Sequence, residues 1–418
     1  MKKLKKEFSA FSRITSFEKI KSVSTSIISI LIGILIGFVI MFIVGVSTSG
    51  VQGISNSFYA LGIIFMGPFN GLNISKEIGN TIFYSVPLIF TALSVGLAYK
   101  TGLFNIGAPG QFYMGSLGAL VIGLGLQLQW GVEVTNAFAH FGIWLLAVIC
   151  GIILGTLWGA IPGLLKAFFG INEVIVCIMT NWIAANIVSW VFTDMPNLIS
   201  KEHGNFLKFT SVTGNYTPTL GLDKLTHGSM LDIGIFLAII FSILIYILIN
   251  KTTFGYELKA CGLNAKSAKY AGINEKKYTI ISMAMAGGLA ALGGALYYLN
   301  PNIEFGFKSA YSILPDYGFN AIPAALLASC NPIGIIFSAI FIRYLSTAGN
   351  YFPLAGFNRY FADLIVAVII YLAGFTKFFN DLFFKIKNRK KKSRFKDEKQ
   401  ITSEPVSKQE VSLEKGGK

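Results

Sequence analysis

The chain has 418 residues, of which 53% are hydrophobic and only 13% are charged, and its formal net charge is +15 at neutral pH. Soluble domains carry about 25% charged residues, so this composition excludes an ordinary soluble protein and indicates an integral membrane protein. The positive charge alone would also suit a nucleic-acid-binding protein, and its distribution along the chain decides between the two explanations.

Apolar stretches of about 20 residues, long enough to cross a hydrocarbon core of about 30 Å, recur along the sequence. The first is too long for the apolar part of a signal peptide, and we expect a retained anchor. Seven long spans and three shorter ones are predicted, in chain order, at residues 27–46, 81–98, 103–128, 141–165, 174–192, 231–249, 278–299, 317–329, 332–346 and 361–375.

The basic residues are concentrated in three segments outside the spans, with seven Lys or Arg in residues 1–22, six in 250–277 and thirteen in 377–418. The loops 47–80, 129–140, 193–229 and 300–316 together hold five. The positive-inside bias therefore predicts that both termini and loop 250–277 are cytoplasmic, so the number of crossings is even. Topology and anionic membrane lipids account for the charge, and no nucleic-acid partner is expected.

These patterns predict an all-α polytopic membrane protein with about ten transmembrane helices, some of them discontinuous, in an N-in and C-in arrangement. Pro332 prevents one continuous helix over residues 317–346, so eight crossings plus a re-entrant segment is the alternative. We expect a basic cytoplasmic N-terminus at 1–22, a transmembrane domain at 23–380 that includes cytoplasmic loop 251–277, and a disordered basic cytoplasmic tail at 381–418.

The sequence offers no support for catalysis. The cysteines are isolated and the histidines show no metal-binding spacing, so no enzyme, catalytic residue, metal or cofactor is expected. The only Gly-Lys pair is Gly417-Lys418, so the chain has no P-loop for ATP and any ATP-driven process needs another subunit. The span interiors are almost free of charge, with Glu173 and Asp363 near span ends, which disfavours an ion-coupled carrier.

Two interruptions of the apolar pattern, at Gly102–Gln111 and around Gly318–Pro332, predict broken helices, which in membranes border protein or a water-filled cavity. Both contain Phe-Asn, a weak sign of an internal repeat. The amides could contact a substrate or cap half-helices, and the phenylalanines could stack on a flat ring or simply pack. A deeper amide in a later span could be a substrate contact or a link between helices. The candidate pathway residues are Phe104, Asn105, Gln111, Asn181, Phe319 and Asn320.

The long basic loop at Lys251–Thr279 mixes lysines with apolar residues at loosely helical spacing, with glycines between. Short amphipathic helices of this kind lie on a membrane surface or dock in a groove of a cytosolic partner. A solvated loop is the third interpretation.

Four stretches in order resemble one family: "GLFNIGAPGQFYMGS" (Gly102–Ser116), "GINEVIVCIMTNWIA" (Gly170–Ala184), "TTFGYELKACGLNAKSAKYAGI" (Thr252–Ile273) and "GFNAIPAALLASCNPIGIIFSAIF" (Gly318–Phe341). They are similar to permease subunits of bacterial nucleoside-type ABC importers, within the larger group of sugar and branched-chain amino acid permeases. The resemblance implies inward transport of nucleosides or a related small polar solute across the bacterial plasma membrane. Simple sugars or branched-chain amino acids are alternative substrates, and an ion-coupled secondary carrier is the alternative of another class.

The resemblance also implies partners: cytosolic ABC ATPase subunits, a second similar permease in a homo- or heterodimer, and an extracellular substrate-binding lipoprotein. It implies that the stretch Thr252–Ile273 contacts the ATPase. Two positions depart from the family, since Pro109 stands where Glu is common and Trp182 where Tyr is common. The implied ATPase-coupling residues are Gly255, Glu257, Leu258, Gly262 and Gly272.

Overall fold

The computed structural model describes residues 28–199, 206–207, 214–309 and 313–374. The predicted N-terminal segment 1–22 and the tail 381–418 lie outside the described residues. The helices are α1 Ile28–Ser49, α2 Val51–Met66, α3 Ile74–Lys100, α4 Ala108–Leu128, α5 Ala137–Phe169, α6 Glu173–Thr193, α7 Leu222–Leu225, α8 Gly234–Lys251, α9 Thr253–Leu263, α10 Ala265–Tyr270, α11 Glu275–Tyr298, α12 Asp316–Leu327, α13 Pro332–Gly349 and α14 Tyr360–Gly374. A two-residue antiparallel pair joins β1 (Phe206–Leu207) to β2 (Phe305–Gly306).

The all-α polytopic architecture is confirmed. Among the described residues, eight helices are long and apolar enough to cross a membrane, namely α1, α3, α4, α5, α6, α8, α11 and α13. The predicted span at 317–329 corresponds to α12, whose 12 residues extend only about 18 Å. The count equals that of the alternative, but its members differ: α13 lies in the region expected to re-enter, and the predicted span at 361–375 corresponds to α14, an apolar helix of only 15 residues. The connection at residues 47–80, in which the sequence analysis predicted no span, contains the 16-residue helix α2.

The helices differ in how deeply they are buried within the chain. In an apolar stretch of 18 residues from each helix, 89% of α3 and 72% of both α4 and α11 is buried, whereas only 22% to 28% of α1, α5 and α8 is buried. A helix that is apolar all round and largely exposed in an isolated chain faces lipid or another subunit. The α3, α4 and α11 helices therefore form the centre of the subunit.

Helices α4, α5 and α11 approach one another through small residues. A Cβ atom added to Gly287 of α11 would lie 2.3 Å from the Gly155 carbonyl oxygen of α5, and one added to Gly115 of α4 would lie 2.2 Å from the Ala291 carbonyl oxygen. Because membrane helices associate by close packing, such small-residue seams bring backbones together. This seam positions the start of α4 within the helix bundle.

Asn300, two residues after the end of α11, secures the irregular segment that precedes α8. Asn300 donates from Nδ2 to the Asp232 Oδ2 atom at 3.0 Å and to the Met230 carbonyl at 2.9 Å, while Asp232 Oδ1 accepts from the Gly234 amide at 2.8 Å. Burial raises the pKa of the Asp232 carboxyl to about 7, although the hydrogen bonds from Asn300 and Gly234 lower it in part. This end of the molecule is therefore closed by hydrogen bonds between side chains and backbone.

We predict that Gly287→Ala destabilises the subunit, because the new methyl group meets the α5 backbone. The expected cost is about 1–3 kcal/mol of unfolding free energy from overpacking. Gly142→Ala in α5 is the matched control, since a Cβ atom there meets nothing within 4 Å and Ala favours the helix. Thermal unfolding of the purified variants in detergent measures both. Equal unfolding temperatures for Gly287→Ala and the wild type would contradict the seam.

Candidate functional site

Helix α3 ends in a tight turn before the first predicted break. Gly102 adopts φ +72°, the Gly102 amide donates to Tyr99 O and the Leu103 amide donates to Ala98 O, which is the hydrogen-bond pattern of a glycine-terminated helix. Residues 103–107 are not helical, and α4 begins only at Ala108. The predicted discontinuity at Gly102–Gln111 is therefore confirmed, with its exact extent at residues 102–107.

The amides predicted at this break bond to one another. Asn105 donates from Nδ2 to Gln111 Oε1 at 2.8 Å and to Ser94 Oγ of α3 at 2.9 Å. Its Oδ1 accepts from the Gly107 amide at 3.0 Å and from Gln111 Nε2 at 3.2 Å. All three side chains are at most 1% exposed. This cluster of Asn105, Gln111 and Ser94 ties the irregular segment to both flanking helices.

Asn181 of α6 completes the arrangement from a second direction. Its Oδ1 accepts from the Gly110 amide at 2.8 Å, and its Nδ2 donates to the Ile106 carbonyl at 2.9 Å. The Gly110 amide belongs to the first turn of α4, where amides have no partner within the helix, and residue Gly107 at the cap supplies no side chain. Asn181 thus caps α4 from the neighbouring helix.

Asn105 bonds to the backbone of the break, as the capping alternative expected, and Asn181 links α6 to α4, as the interhelical alternative expected. We call Asn105, Gln111 and Asn181 together with Ser94 the amide cluster. The bonds of Asn105 and Asn181 satisfy backbone groups that would otherwise be costly in an apolar interior. Phe104 lies beside them and is half-buried. A role of these residues in contacting substrate stays a prediction.

Glu173 links the same break to the turn between α5 and α6. Its Oε2 atom lies 2.6 Å from Lys166 Nζ, and its Oε1 accepts from the Phe104 amide at 3.4 Å. The neighbouring Asn172 caps α6 by accepting from the Val174 amide at 2.9 Å. Helix α6 thus begins at Glu173, next to the predicted start of the span at residue 174, and the acid has a structural partner as well as a favourable helix position.

The second Phe-Asn pair does not lie at a break. Phe319 and Asn320 are inside α12, and the chain interruption falls later, where Ser329 and Cys330 adopt φ +51° and +53° before α13. The predicted echo of Phe104-Asn105 was therefore wrong in its geometry, because a dipeptide match does not report backbone conformation. Phe319 is exposed and Asn320 is half-buried.

Pro109, which departs from the family pattern, has a clear structural place. It occupies the first turn of α4, where its missing N–H removes no helical hydrogen bond. A Cβ atom on Gly318 of α12 would lie 2.4 Å from the Pro109 nitrogen, so the two helices meet there through a glycine. The start of α4 is thus fixed from α12 as well as from α6.

The predicted basic loop forms two short helices, α9 and α10, that pack on the subunit through the predicted residues. Leu258 is 1% exposed, and the Tyr278 hydroxyl donates to the Glu257 carboxylate. A Cβ atom on Gly255 would lie 2.1 Å from the Leu248 carbonyl oxygen of α8. Gly272 follows α10 with φ +82°, a conformation that favours glycine.

Gly262 brings α9 against the first break. A Cβ atom there would lie 2.6 Å from the Lys100 carbonyl oxygen, and one on Gly102 would lie 3.0 Å from the Gly262 carbonyl oxygen. No side chain separates α9 from the turn that ends α3. The backbone of α9 is therefore in direct contact with the backbone at the end of α3.

Two features were missed in the sequence. Helices α9 and α10 expose Tyr256, Leu263 and Tyr270 at 69%, 89% and 94%, and no helical periodicity relates all three, because α9 ends at Leu263 and Tyr270 belongs to α10. The other is Arg343, a single charge inside the apolar helix α13. In the described part of the chain, no group of three or more His, Cys, Asp or Glu side chains could hold a metal ion.

Comparison with known proteins identifies a family and several relatives. Residues 77–374 match the family described as branched-chain amino acid transport system, permease component. The nucleoside ABC transporter permease protein NupB of Lactococcus lactis is 34% identical over 304 residues, covering 72% of this chain and 80% of the relative. The guanosine ABC transporter permease protein NupP of Bacillus subtilis is 31% identical over 294 residues, covering 70% and 79%.

A more distant relative differs in its named substrate. The glucose ABC transporter permease protein TsgB13 of Haloferax volcanii is 27% identical over 293 residues, covering 68% of this chain and 73% of the relative. No solved structure matches the chain.

We predict that Asn181→Ala destabilises the subunit, because it leaves the buried Gly110 amide and Ile106 carbonyl without their partner. Each such group costs about 1–3 kcal/mol of unfolding free energy. Asn186→Ala is the matched control on the same helix, since Asn186 is exposed and bonds only to the Trp182 carbonyl of its own helix. Thermal unfolding in detergent compares the two. If both variants unfold at the wild-type temperature, the capping role of Asn181 is wrong.

Proposed function

The chain belongs to the family of branched-chain amino acid transport system permease components, and from this membership we propose that it is the membrane subunit of an ATP-driven importer of nucleosides. Permease components of this family are transport subunits rather than enzymes, and the eight apolar helices make this one a multi-pass protein of the bacterial plasma membrane. The substrate and the detailed partners are the proposed part.

One observation carries the nucleoside assignment. Relatives that are 31% and 34% identical over 70% and 72% of the chain are named as guanosine and nucleoside permeases. The glucose permease is more distant, at 27% identity. We therefore favour nucleosides over simple sugars and branched-chain amino acids.

ABC permeases work with ATPase and substrate-binding partners. We propose that this subunit pairs with a second similar permease and receives substrate from an extracellular lipoprotein. The sequence contains no P-loop, so ATP is bound by separate cytosolic subunits. Substrate moves inward by alternating access as those ATPases close on ATP.

The face of α9 and α10 suits the ATPase contact. Tyr256, Leu263 and Tyr270 expose large apolar surfaces, and the neighbouring Lys266 and Lys269 are exposed too. An exposed apolar strip with a charged rim is typical of a helix that docks in a groove of a protein partner. Because the loop is basic, the positive-inside bias puts this face in the cytoplasm.

The packing of α9 supplies a route from ATPase to pathway. ATPase closure would push α9, and the contact between Gly262 and Gly102 would pass the movement to the turn between α3 and α4. The amide cluster joins that turn to α4 and α6, so these helices would move with it. The glycine contact is the mechanical link that this mechanism requires.

A direct test reconstitutes the subunit with its ATPases, second permease and binding protein in liposomes. We expect ATP-dependent uptake of radiolabelled nucleosides, with no uptake of glucose or leucine. The subunit alone, under an imposed ion gradient, is the control and should transport nothing. Ion-driven uptake by the subunit alone would replace this proposal with a secondary carrier.

We predict that Leu263→Asp abolishes ATPase docking without unfolding the subunit, because Leu263 is 89% exposed and its replacement removes apolar contact only from a partner. Loss of a docking anchor costs about 2 kcal/mol or more of binding free energy. Leu225→Asp is the matched control, since Leu225 is 75% exposed in α7, near the N-terminal end of α3. Co-purification of the ATPase measures docking. Undiminished co-purification with Leu263→Asp would exclude this face as the contact.

A further inference from the structure

Arg343 is a charge within the apolar span α13. The helix begins at Pro332, so the Arg343 backbone lies about 16 Å along it. Long side chains of helix residues point towards the helix N-terminus, which directs this one further into the span. Ionisable residues inside membrane segments are costly and generally serve a function with a definable partner.

Aromatic rings from other helices surround the guanidinium. Its central carbon lies 5.2 Å from the ring centroid of Tyr84 in α3 and 5.7 Å from that of Tyr317 in α12. The Tyr317 ring is in turn 4.9 Å from Tyr297 of α11 and is stacked on Phe112 of α4 at 5.8 Å. Four helices therefore contribute one residue each to a group that we call the arginine-tyrosine cluster: Tyr84, Tyr297, Tyr317 and Arg343.

The Arg343 guanidinium is attracted to the faces of the tyrosine rings, but at least one of its N–H groups has no hydrogen-bond acceptor. Its Nε atom is buried and has no hydrogen-bond partner. Among the described residues, the ion pairs join Lys166 to Glu173 and Lys269 to Glu275, and Arg343 belongs to neither. Arginine offers five N–H donors and no acceptor and stays charged. A molecule with acceptor atoms is what this group can bind.

The location of the cluster is that of a pathway site. Tyr84 precedes Pro87 of α3 by three residues, and the Thr91 hydroxyl, four residues after Pro87, donates to the Tyr317 carbonyl at 3.0 Å. The cluster therefore lies near the middle of α3, where a proline interrupts the helical hydrogen bonds. Tyr84, Tyr317 and Arg343 are half-buried, so one side of the cluster is open. Transporters bind substrate near the middle of the membrane, at interrupted helices.

We propose that the arginine-tyrosine cluster is a contact site for the base of the transported nucleoside, and that it favours 6-oxopurines over adenine. This inference rests on the proposed function. The ring faces of Tyr84 and Tyr317 stack on the flat base. The Arg343 guanidinium donates to the adjacent oxygen and nitrogen acceptors that guanine and hypoxanthine present at O6 and N7. Adenine presents an amino donor in place of O6, which opposes the N–H donors of arginine.

The test measures uptake of labelled inosine and adenosine by the reconstituted importer with one unchanged binding protein. Any change in the inosine to adenosine ratio then originates in the permease. We expect Arg343→Gln to lower this ratio about tenfold or more, chiefly through KM for inosine, as loss of a two-point base contact does elsewhere. Arg343→Lys, which keeps the charge but loses the fork, should give a smaller reduction.

Arg359→Gln is the matched control. Arg359 also lies over a tyrosine ring, 5.6 Å from the centroid of Tyr360, but both residues are exposed. It should leave the ratio unchanged. If Arg343→Gln does not fold, Tyr317→Leu replaces it and should raise KM for both nucleosides, whereas Tyr317→Phe, which keeps the ring, should not.

Three outcomes are decisive against the inference. In the first, the wild-type importer takes up nucleosides, Arg343→Gln leaves the inosine to adenosine uptake ratio unchanged, and Tyr317→Leu leaves KM unchanged. This result would show that the cluster is not a substrate site, and it would leave the proposed function intact. An equal loss for inosine and adenosine in Arg343→Gln, with reduced ATPase activity, would show that Arg343 supports structure only. A wild-type importer that transports no nucleoside would overturn the proposed function and this inference with it.

Discussion

The absence of water from a membrane interior requires every backbone N–H and C=O to find a partner within the protein, and the break between α3 and α4 depends on meeting this requirement. Residues 103–107 leave the helical pattern, so their polar groups and the first amides of α4 need other partners. Asn105 and Asn181 supply partners for the Gly107 and Gly110 amides and the Ile106 carbonyl, and Gln111 holds Asn105 in place. An irregular segment becomes possible in an apolar bundle because amide side chains replace part of the missing helical hydrogen bonds.

The same segment is also where several helices are joined. Asn181 attaches it to α6, Ser94 attaches it to α3, and Gly318 packs α12 against Pro109 at the start of α4. The Gly262–Gly102 contact adds α9 from outside the bundle. Contacts between backbones without intervening side chains pack the segment closely against its neighbours. The break is thus a tightly packed junction rather than a loose loop.

Much of this architecture could be predicted from the sequence, because apolar length and charge distribution set the spans, and the polar and glycine residues of Gly102–Gln111 identified the break. Helix α2 was missed because an amphipathic segment too short to span resembles a loop in a hydropathy reading. The amide bonds between Asn105 and Gln111, and the meeting of Gly262 with Gly102, could not be predicted, since they depend on helix packing between distant parts of the chain. Phe319-Asn320 shows the converse error, where a short match suggested a conformation that its neighbours do not adopt.

The two polar features of the bundle differ in one respect that bears on transport. The amides of Asn105, Gln111 and Asn181 are fully buried and bonded to the protein itself, so a substrate would have to displace those bonds to reach them. Arg343 is half-buried, lies against ring faces and has an N–H with no acceptor. This difference is the reason why we propose the arginine-tyrosine cluster, rather than the amide cluster, as the contact for the permeant.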